Sequence, residues 1–268
     1  MSFGLHDLEA MHAHDAAILF AVAVVGGAIN SVAGGGSFLC FPTLLFTGMP
    51  PIQANATNTM ALWPGTLASV GAYRRELHGD NKKMLIPLIV TGIIGGLFGA
   101  TVLLRTPQAT FLRLVPYLLA IATVLFAVSG PVTRFVRSRS SHMQNRTVWA
   151  MIWGAALQLC IAVYIGFFGA GAGILMLALL AIMGVESIHT MNAYKTVLAV
   201  VCNGIAIVAF IVAGAVIWPQ ALVMLMGAIV GGYYGAFFAQ KMKPEHVRYM
   251  VIAIGAGMSV YFFAKQGF

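Results

Sequence analysis

The sequence predicts an all-α polytopic membrane protein whose ten helices form two inverted repeats of five. Three observations indicate this fold class. Of the 268 residues, 60% are hydrophobic and only 8% are charged, whereas an average soluble domain carries about 25% charged residues. The apolar residues form long unbroken runs rather than the alternating pattern of a transmembrane β-barrel. The chain also contains two similar halves.

Ten apolar segments are expected to be the membrane helices, because a helix satisfies its own backbone hydrogen bonds and can cross lipid. The segments of the first half lie at about residues 16–33, 37–48, 54–73, 84–104 and 111–129. The segments of the second half lie at about residues 147–167, 172–183, 189–213, 219–239 and 246–263. Most of them approach the roughly 20 residues that a helix needs to span a bilayer.

The second and seventh segments are too short for this role. Each has about 12 residues and would cover only about 18 Å as a helix. Glycines precede each segment and a glycine turn follows it. We therefore expect short, glycine-broken helices whose leads are buried in protein or face a cavity. Broken helices at matching places in two repeats indicate a binding site near the middle of the bilayer.

The duplication is visible in the residues themselves. A shift of 137 residues aligns Gly36 with Gly173, and a shift of 136 aligns residues 95–100 with residues 231–236. Five helices per half would give the two halves opposite orientations. The expected units are an N-terminal lead (1–15), a first repeat (16–129), a basic linker (130–146) and a second repeat (147–264).

The positive charges predict the orientation. Eleven of the fifteen Lys and Arg residues lie in loop 74–83, in the linker 130–146 or in loop 240–248. Cytoplasmic loops of membrane proteins are enriched in such residues. All three stretches become cytoplasmic if ten segments cross and both chain termini are extracytoplasmic. If the second and seventh segments were re-entrant, leaving eight crossings, one basic loop would lie on the wrong side.

The glycine stretches that open the two short helices supply the first candidate binding residues. A helix N-terminus carries unpaired N–H groups and the positive end of the helix dipole, so two such ends would favour a small anion. Close packing of helices is the alternative, because small residues are common where membrane helices touch. The candidates are Gly34, Gly35, Gly36, Ser37, Gly171 and Gly173.

Polar side chains just after each short helix supply the second set. Helical spacing places the members of each group on one face. Lys195 is the one charge expected inside a span, so it is a functional candidate, although it could instead snorkel to the interface. The amides could instead join helices. The two groups are Asn55, Asn58 and Thr59 in the first half and Asn192, Lys195 and Thr196 in the second.

Few residues in the sequence indicate ion coupling or catalysis. Glu186 and His189, in the turn after the seventh segment, could carry a coupling proton or belong to a solvated loop. The sequence contains no intramembrane pair of carboxylates and no metal-binding motif, so we expect no enzymatic activity, metal or cofactor. The basic residues do not line one face, so the expected surroundings are lipid rather than nucleic acid. The oligomeric state stays open.

The residues Asn30–Ser37, followed by Pro42 and then Ala54–Thr59, resemble the first-half signature of the sulfite exporter family, TauE/SafE. The Gly-Gly-x-x-Gly-Ala pattern in both halves and the Gly-x-Gly-x-Gly opening of the second short helix are also similar. The resemblance covers about residues 16–263. The positions that match the family's pattern are Gly34, Gly35, Gly36, Thr57, Asn58, Gly171 and Gly173.

The resemblance implies a bacterial inner-membrane transporter of a small sulfur-containing anion, either sulfite or an organosulfonate. One stretch departs from the family's pattern: Tyr194 and Lys195 stand where a small hydroxyl residue is frequent. A passive channel, or a carrier for another small anion such as a carboxylate, is the alternative function.

Overall fold

The structure is a computed structural model that describes residues 13–33, 35–72, 82–140, 148–185, 187–239 and 244–266. These residues form ten α-helices and no strand, which confirms the all-helical prediction. The helices are α1 (Ala13–Ala33), α2 (Ser37–Phe46), α3 (Pro51–Ala72), α4 (Lys82–Arg105), α5 (Gln108–Ser140), α6 (Val148–Phe167), α7 (Ala172–Ile182), α8 (Ile188–Val212), α9 (Trp218–Ala239) and α10 (Pro244–Gln266).

The helix limits follow the predicted segments closely, with one difference. Helix α5 continues beyond the expected end at residue 129 and stops at Ser140. Gly130 and Pro131 suggest a helix end, but proline is tolerated inside membrane helices, and the arginines that follow favour helix. The first part of the basic stretch 130–146 is therefore helical, and residues 141–147 lie outside the described residues.

The distribution of polarity fits a multi-pass membrane protein. By length and composition, four helices in the described residues could cross a bilayer, at Ala13–Asn30, Met84–Arg105, Gln108–Val128 and His189–Val212. The outer surface is apolar, as shown by Ile86 and Val260, which are 63% and 67% exposed. Polar side chains such as Asn55, Asn58 and Gln158 lie inside. Lipid favours this arrangement because it cannot satisfy polar groups.

The fourth helix of each half packs against the other half. Helix α4 lies against α6 and α8, whereas α9 lies against α1 and α3. Further contacts between the halves join α3 to α8 and α5 to α10. Buried apolar side chains accordingly form two clusters, one drawn mainly from α1, α2, α3, α5, α9 and α10 and one from α4, α6, α7 and α8.

Glycines allow the closest of these contacts. A Cβ atom built on Gly95 of α4 would lie 2.6 Å from the carbonyl oxygen of Leu159 in α6. A Cβ atom on Gly227 of α9 would lie 2.6 Å from the carbonyl oxygen of Phe20 in α1. In each helix another glycine lies four residues later, at Gly99 and at Gly231. This Gly-x-x-x-Gly spacing lets the backbones of membrane helices touch.

The two short helices end in the same way. Gly48 follows α2 with φ +83°, and Gly184 follows α7 with φ +81°. In each case the next residue donates a backbone hydrogen bond five residues back, over 3.2 Å from Met49 to Leu44 and over 3.0 Å in α7. This pairing is a Schellman motif, which needs a left-handed residue and therefore favours glycine.

Candidate functional site

The first helix break lies between α1 and α2. The side-chain amide of Asn58, in α3, donates a 3.1 Å hydrogen bond from Nδ2 to Oγ of Ser37, the first residue of α2. Asn58 is only 1% exposed. Its carbonyl oxygen Oδ1 is buried and accepts no hydrogen bond in the part of the chain that the structure describes. The start of α2 thus faces a buried amide with an unused acceptor.

The second helix break lies between α6 and α7. Gly169 and Gly171 adopt the left-handed conformation there, with φ +80° and +75°. The hydroxyl of Tyr164 donates a 2.7 Å hydrogen bond to the carbonyl oxygen of Ala170 and fixes the segment from one side. Gly171 is the N-cap of α7 and offers no side chain to its first N–H groups. Ala172 and Ile174 already donate to backbone oxygens of this turn, so of the first three N–H groups of α7 only that of Gly173 lacks an acceptor among the described residues.

Lys195 lies beside the start of α7. A Cβ atom built on Gly173 would be 3.5 Å from Cδ of Lys195, so the aliphatic part of the lysine passes over the first turn of α7. Its ammonium group forms no hydrogen bond or ion pair with another described residue. Among the described side chains Asp15, at the start of α1, is the only carboxylate. No described acid therefore neutralises Lys195.

The two breaks have the same local plan. Asn58 and Lys195 are separated by 137 residues, the shift at which the sequence analysis aligns Gly36 with Gly173. Each approaches the first turn of the short helix in its own half, at Ser37 and at Gly173. The first break therefore presents an amide side chain, and the second presents a lysine side chain.

Both breaks lie against the same part of α5. A Cβ atom on Gly171 would be 3.3 Å from Cα of Ala122. One turn further along α5, the ring of Phe126 meets that of Phe38 in α2, with centroids 6.0 Å apart. The two short helices consequently begin near each other.

Helix packing accounts for three of the candidate glycines. A Cβ atom on Gly35 would be 2.8 Å from Cγ1 of Val251, and one on Gly36 would be 2.5 Å from the carbonyl oxygen of Gly26. Gly171 is similarly close to α5. Gly173 differs, because the side chain of Lys195 is the only neighbouring group within 4 Å of a Cβ atom built there. Gly34 lies outside the described residues.

Several predicted polar residues bond to the backbone instead of facing the breaks. Asn55 donates from Nδ2 to the carbonyl oxygen of Phe167 over 3.3 Å, and Thr57 accepts a 3.0 Å bond from the N–H of Ile217. The hydroxyls of two further threonines donate to carbonyl oxygens one turn earlier in their own helices. These pairs are Thr59 with Asn55 and Thr196 with Asn192.

The predicted coupling pair is only partly described. His189 is exposed in the first turn of α8, and Glu186 lies outside the described residues. No group of three metal-ligating side chains occurs among the residues that the structure describes.

The sequence analysis did not assign the contact that joins α3 to α8. The indole Nε1 of Trp63 donates a 3.0 Å hydrogen bond to the carbonyl oxygen of Val200. A Cβ atom on Gly204 would be 3.3 Å from the same ring. Trp63 and Val200 are again 137 residues apart, and this separation was the signal available in the sequence.

Comparison with known proteins identifies the family. The model of the family described as sulfite exporter TauE/SafE matches residues 19–262. A probable membrane transporter protein of Haemophilus influenzae is 26% identical over 94% of this chain and 95% of its own length. The probable membrane transporter protein YfcA of Escherichia coli is 29% identical over 90% of this chain and 87% of its own.

A third relative, the probable membrane transporter protein ORF9 of a Sinorhizobium species, is 25% identical over 92% of both chains. No solved structure is significantly similar to the chain. The relatives are named as probable membrane transporters, and the apolar surface and helices of this chain agree with that class. Because the family model matches nearly the whole sequence, the chain belongs to the TauE/SafE sulfite exporter family and is a membrane transporter.

Proposed function

We propose that the protein is a secondary transporter of a small sulfur-containing anion, sulfite or an organosulfonate, in the bacterial inner membrane. The anion binds near the middle of the bilayer, between the starts of α2 and α7. One observation carries the proposal: Lys195, which has no partner among the described residues, lies against the N-terminus of α7.

The electrostatics of this pair favour an anion. The N-terminus of a helix acts as roughly half a positive charge, so it repels a lysine ammonium. At a separation of about 5 Å and an effective dielectric constant of about 20, the repulsion is on the order of 1–2 kcal/mol. A bound anion turns both groups into favourable partners. The N–H of Gly173 in the first turn of α7 and the ammonium can then donate to the same oxyanion.

The inverted repeat is supported by contacts between equivalent residues. If two residues of a repeat pair touch each other, they lie at the axis that relates the halves. Trp63 and Val200 touch in this way. The exchanged positions of α4 and α9, and the matching ends of α2 and α7, also fit a pseudo-two-fold relation.

The site lies close to this axis. Asn58 and Lys195 each precede the Trp63–Val200 contact by five residues, which is about 7.5 Å along a helix. Each half contributes one part of the site. When the two halves swap their conformations, the site opens first to one side of the membrane and then to the other, as in other transporters built from inverted repeats. The substrate class comes from the family, since the relatives are named only as probable membrane transporters.

Labelling of introduced cysteines tests the proposed topology. Ala109 and Ala213 are exposed and are separated by α5, α6, α7 and α8. If all ten helices cross, both positions lie outside, because four crossings return the chain to the same side. Ala109→Cys and Ala213→Cys, in a Cys160→Ser background, should therefore both react with an impermeant maleimide in intact cells.

Ser187→Cys is the control, because only α8 separates residue 187 from Ala213. It should react only after the membrane is permeabilised. Reaction of residues 109 and 213 from opposite sides would mean that α7 is re-entrant, and the inverted repeat of five crossings would be wrong.

Counterflow tests the function. Proteoliposomes preloaded with unlabelled sulfite should take up radiolabelled sulfite transiently above its equilibrium level, because a carrier exchanges the internal anion for the external one. Protein-free liposomes are the control. Rapid equilibration without this overshoot would indicate a channel, and absence of protein-dependent uptake would exclude sulfite as the substrate.

A further inference from the structure

The amide of Asn58 constrains the chemical form of the substrate. Its Nδ2 is engaged with Ser37, and its Oδ1 is a buried acceptor without a partner among the described residues. A buried acceptor left unpaired costs about 1–3 kcal/mol. Buried polar groups in native proteins are nearly always hydrogen-bonded, so a ligand at this break should donate a hydrogen bond to Asn58.

The start of α2 adds a second requirement. Helix α2 has ten residues and begins at Ser37, so its N-terminus favours negative charge beside the same amide. A ligand that suits both groups carries anionic oxygens and also a proton that it can donate. Hydrogensulfite meets both conditions. The sulfite dianion and simple alkylsulfonates have acceptor oxygens only.

No titratable side chain among the described residues is hydrogen-bonded to Asn58 in place of the substrate. Among the described side chains, the charged and thiol groups on helices packed against α3 are His14 and Asp15 at the start of α1, Cys40 in α2, Arg113 near the start of α5, and His189, Lys195 and Cys202 in α8. None of them is hydrogen-bonded to Asn58. No described carboxylate lies inside a span.

We infer that the carried species is the singly protonated monoanion, which donates its proton to Oδ1 of Asn58 in a hydrogen bond while its anionic oxygens face the helix N-termini. This inference rests on the proposed function. One proton and one net negative charge then move together with each anion, so proton coupling needs no carboxylate of the protein.

Binding to the purified protein at different pH values tests the inference with two ligands. Sulfite and selenite have the same pyramidal shape, but the second ionisation of selenous acid occurs at higher pH than that of sulfurous acid. If the monoanion binds, affinity for total ligand should fall as pH rises through the ligand's own second pKa. The fall should come at higher pH for selenite than for sulfite. If the affinities for sulfite and selenite fall at the same pH, a group of the protein is titrating, and the inference is wrong.

A variant at Asn58 provides the second measurement. The wild type should prefer hydrogensulfite to methanesulfonate, a monoanion without a donor, by about tenfold, the effect expected of one buried hydrogen bond. Asn58→Leu should lose this preference. Gln53→Leu removes an amide of the same helix that bonds to Gln108, and it should keep the preference of the wild type.

The outcomes separate the inference from the proposed function. Retention of the preference in Asn58→Leu would overturn the inference and leave anion transport intact. Failure of sulfite, selenite and methanesulfonate to bind at any pH would overturn the proposed function and the inference with it. If Asn58→Leu does not fold, the comparison of midpoints in the wild type still decides.

Discussion

Lys195→Met should weaken sulfite binding roughly 10- to 100-fold, because it removes a charge-assisted hydrogen bond worth about 1.5–3 kcal/mol. The same change should leave the protein folded and raise its melting temperature. Lys195 is half-buried beside the positive end of α7 without a described partner, and an apolar residue of similar shape avoids the cost of an unpaired charge. A gain in stability combined with a loss of binding is typical of a residue kept for function.

Isothermal titration of the purified protein with sulfite, together with thermal unfolding in detergent, measures both effects. Lys265→Met is the matched control, because Lys265 is exposed near the end of α10. It should change neither affinity nor stability appreciably. Wild-type affinity in Lys195→Met would mean that the lysine snorkels to the interface and that the anion is bound elsewhere.

Gly95→Val should prevent α4 from packing on α6 and should destabilise the protein by about 3 kcal/mol or more, the upper end of the range for overpacked positions. A Cβ atom at this position would lie 2.6 Å from a backbone oxygen and 2.7 Å from Cβ of Ala162. Neither neighbour can move aside without shifting its helix. Since α4 is the helix that joins the first half to the second-half core, we expect little monodisperse protein after solubilisation.

Gly257→Val is the control for this prediction. Gly257 is also inside a helix, α10, but a Cβ atom there has no other atom within 4 Å. Size-exclusion profiles and thermal unfolding in detergent should resemble those of the wild type for Gly257→Val only. Equal behaviour of the two variants would contradict the close contact between α4 and α6.

The sequence is sufficient to predict most of the helices. Apolar runs mark their extent, and the glycines at 48 and 184 mark the ends of the two short helices, because only glycine adopts those φ values easily. The end of α5 is missed, since Gly130 and Pro131 do not stop this helix. The sequence also does not show that α4 packs against helices of the second half and α9 against helices of the first half. A Gly-x-x-x-Gly pattern predicts a close contact but does not name the partner.

The candidate site is less predictable than the fold. Sequence analysis predicts that Asn58 and Lys195 are equivalent positions, but only the structure shows them beside the first turns of α2 and α7. Sequence analysis alone cannot distinguish a glycine that faces a ligand from a glycine that packs against a neighbouring helix. Gly35 and Gly36 are close to side chains or backbone of neighbouring helices, whereas Gly173 is close to Lys195 alone. These differences depend on contacts between segments far apart in the chain.

The position of the bound anion tests the central claim most directly. Crystals of the protein grown with selenite should show an anomalous peak from selenium between the starts of α2 and α7. Its oxygens should lie within about 3 Å of Nζ of Lys195 and of the backbone nitrogen of Gly173 in α7, the length of a hydrogen bond. A selenium peak elsewhere in the molecule, with Lys195 and Asn58 unchanged and apart from it, would contradict the account.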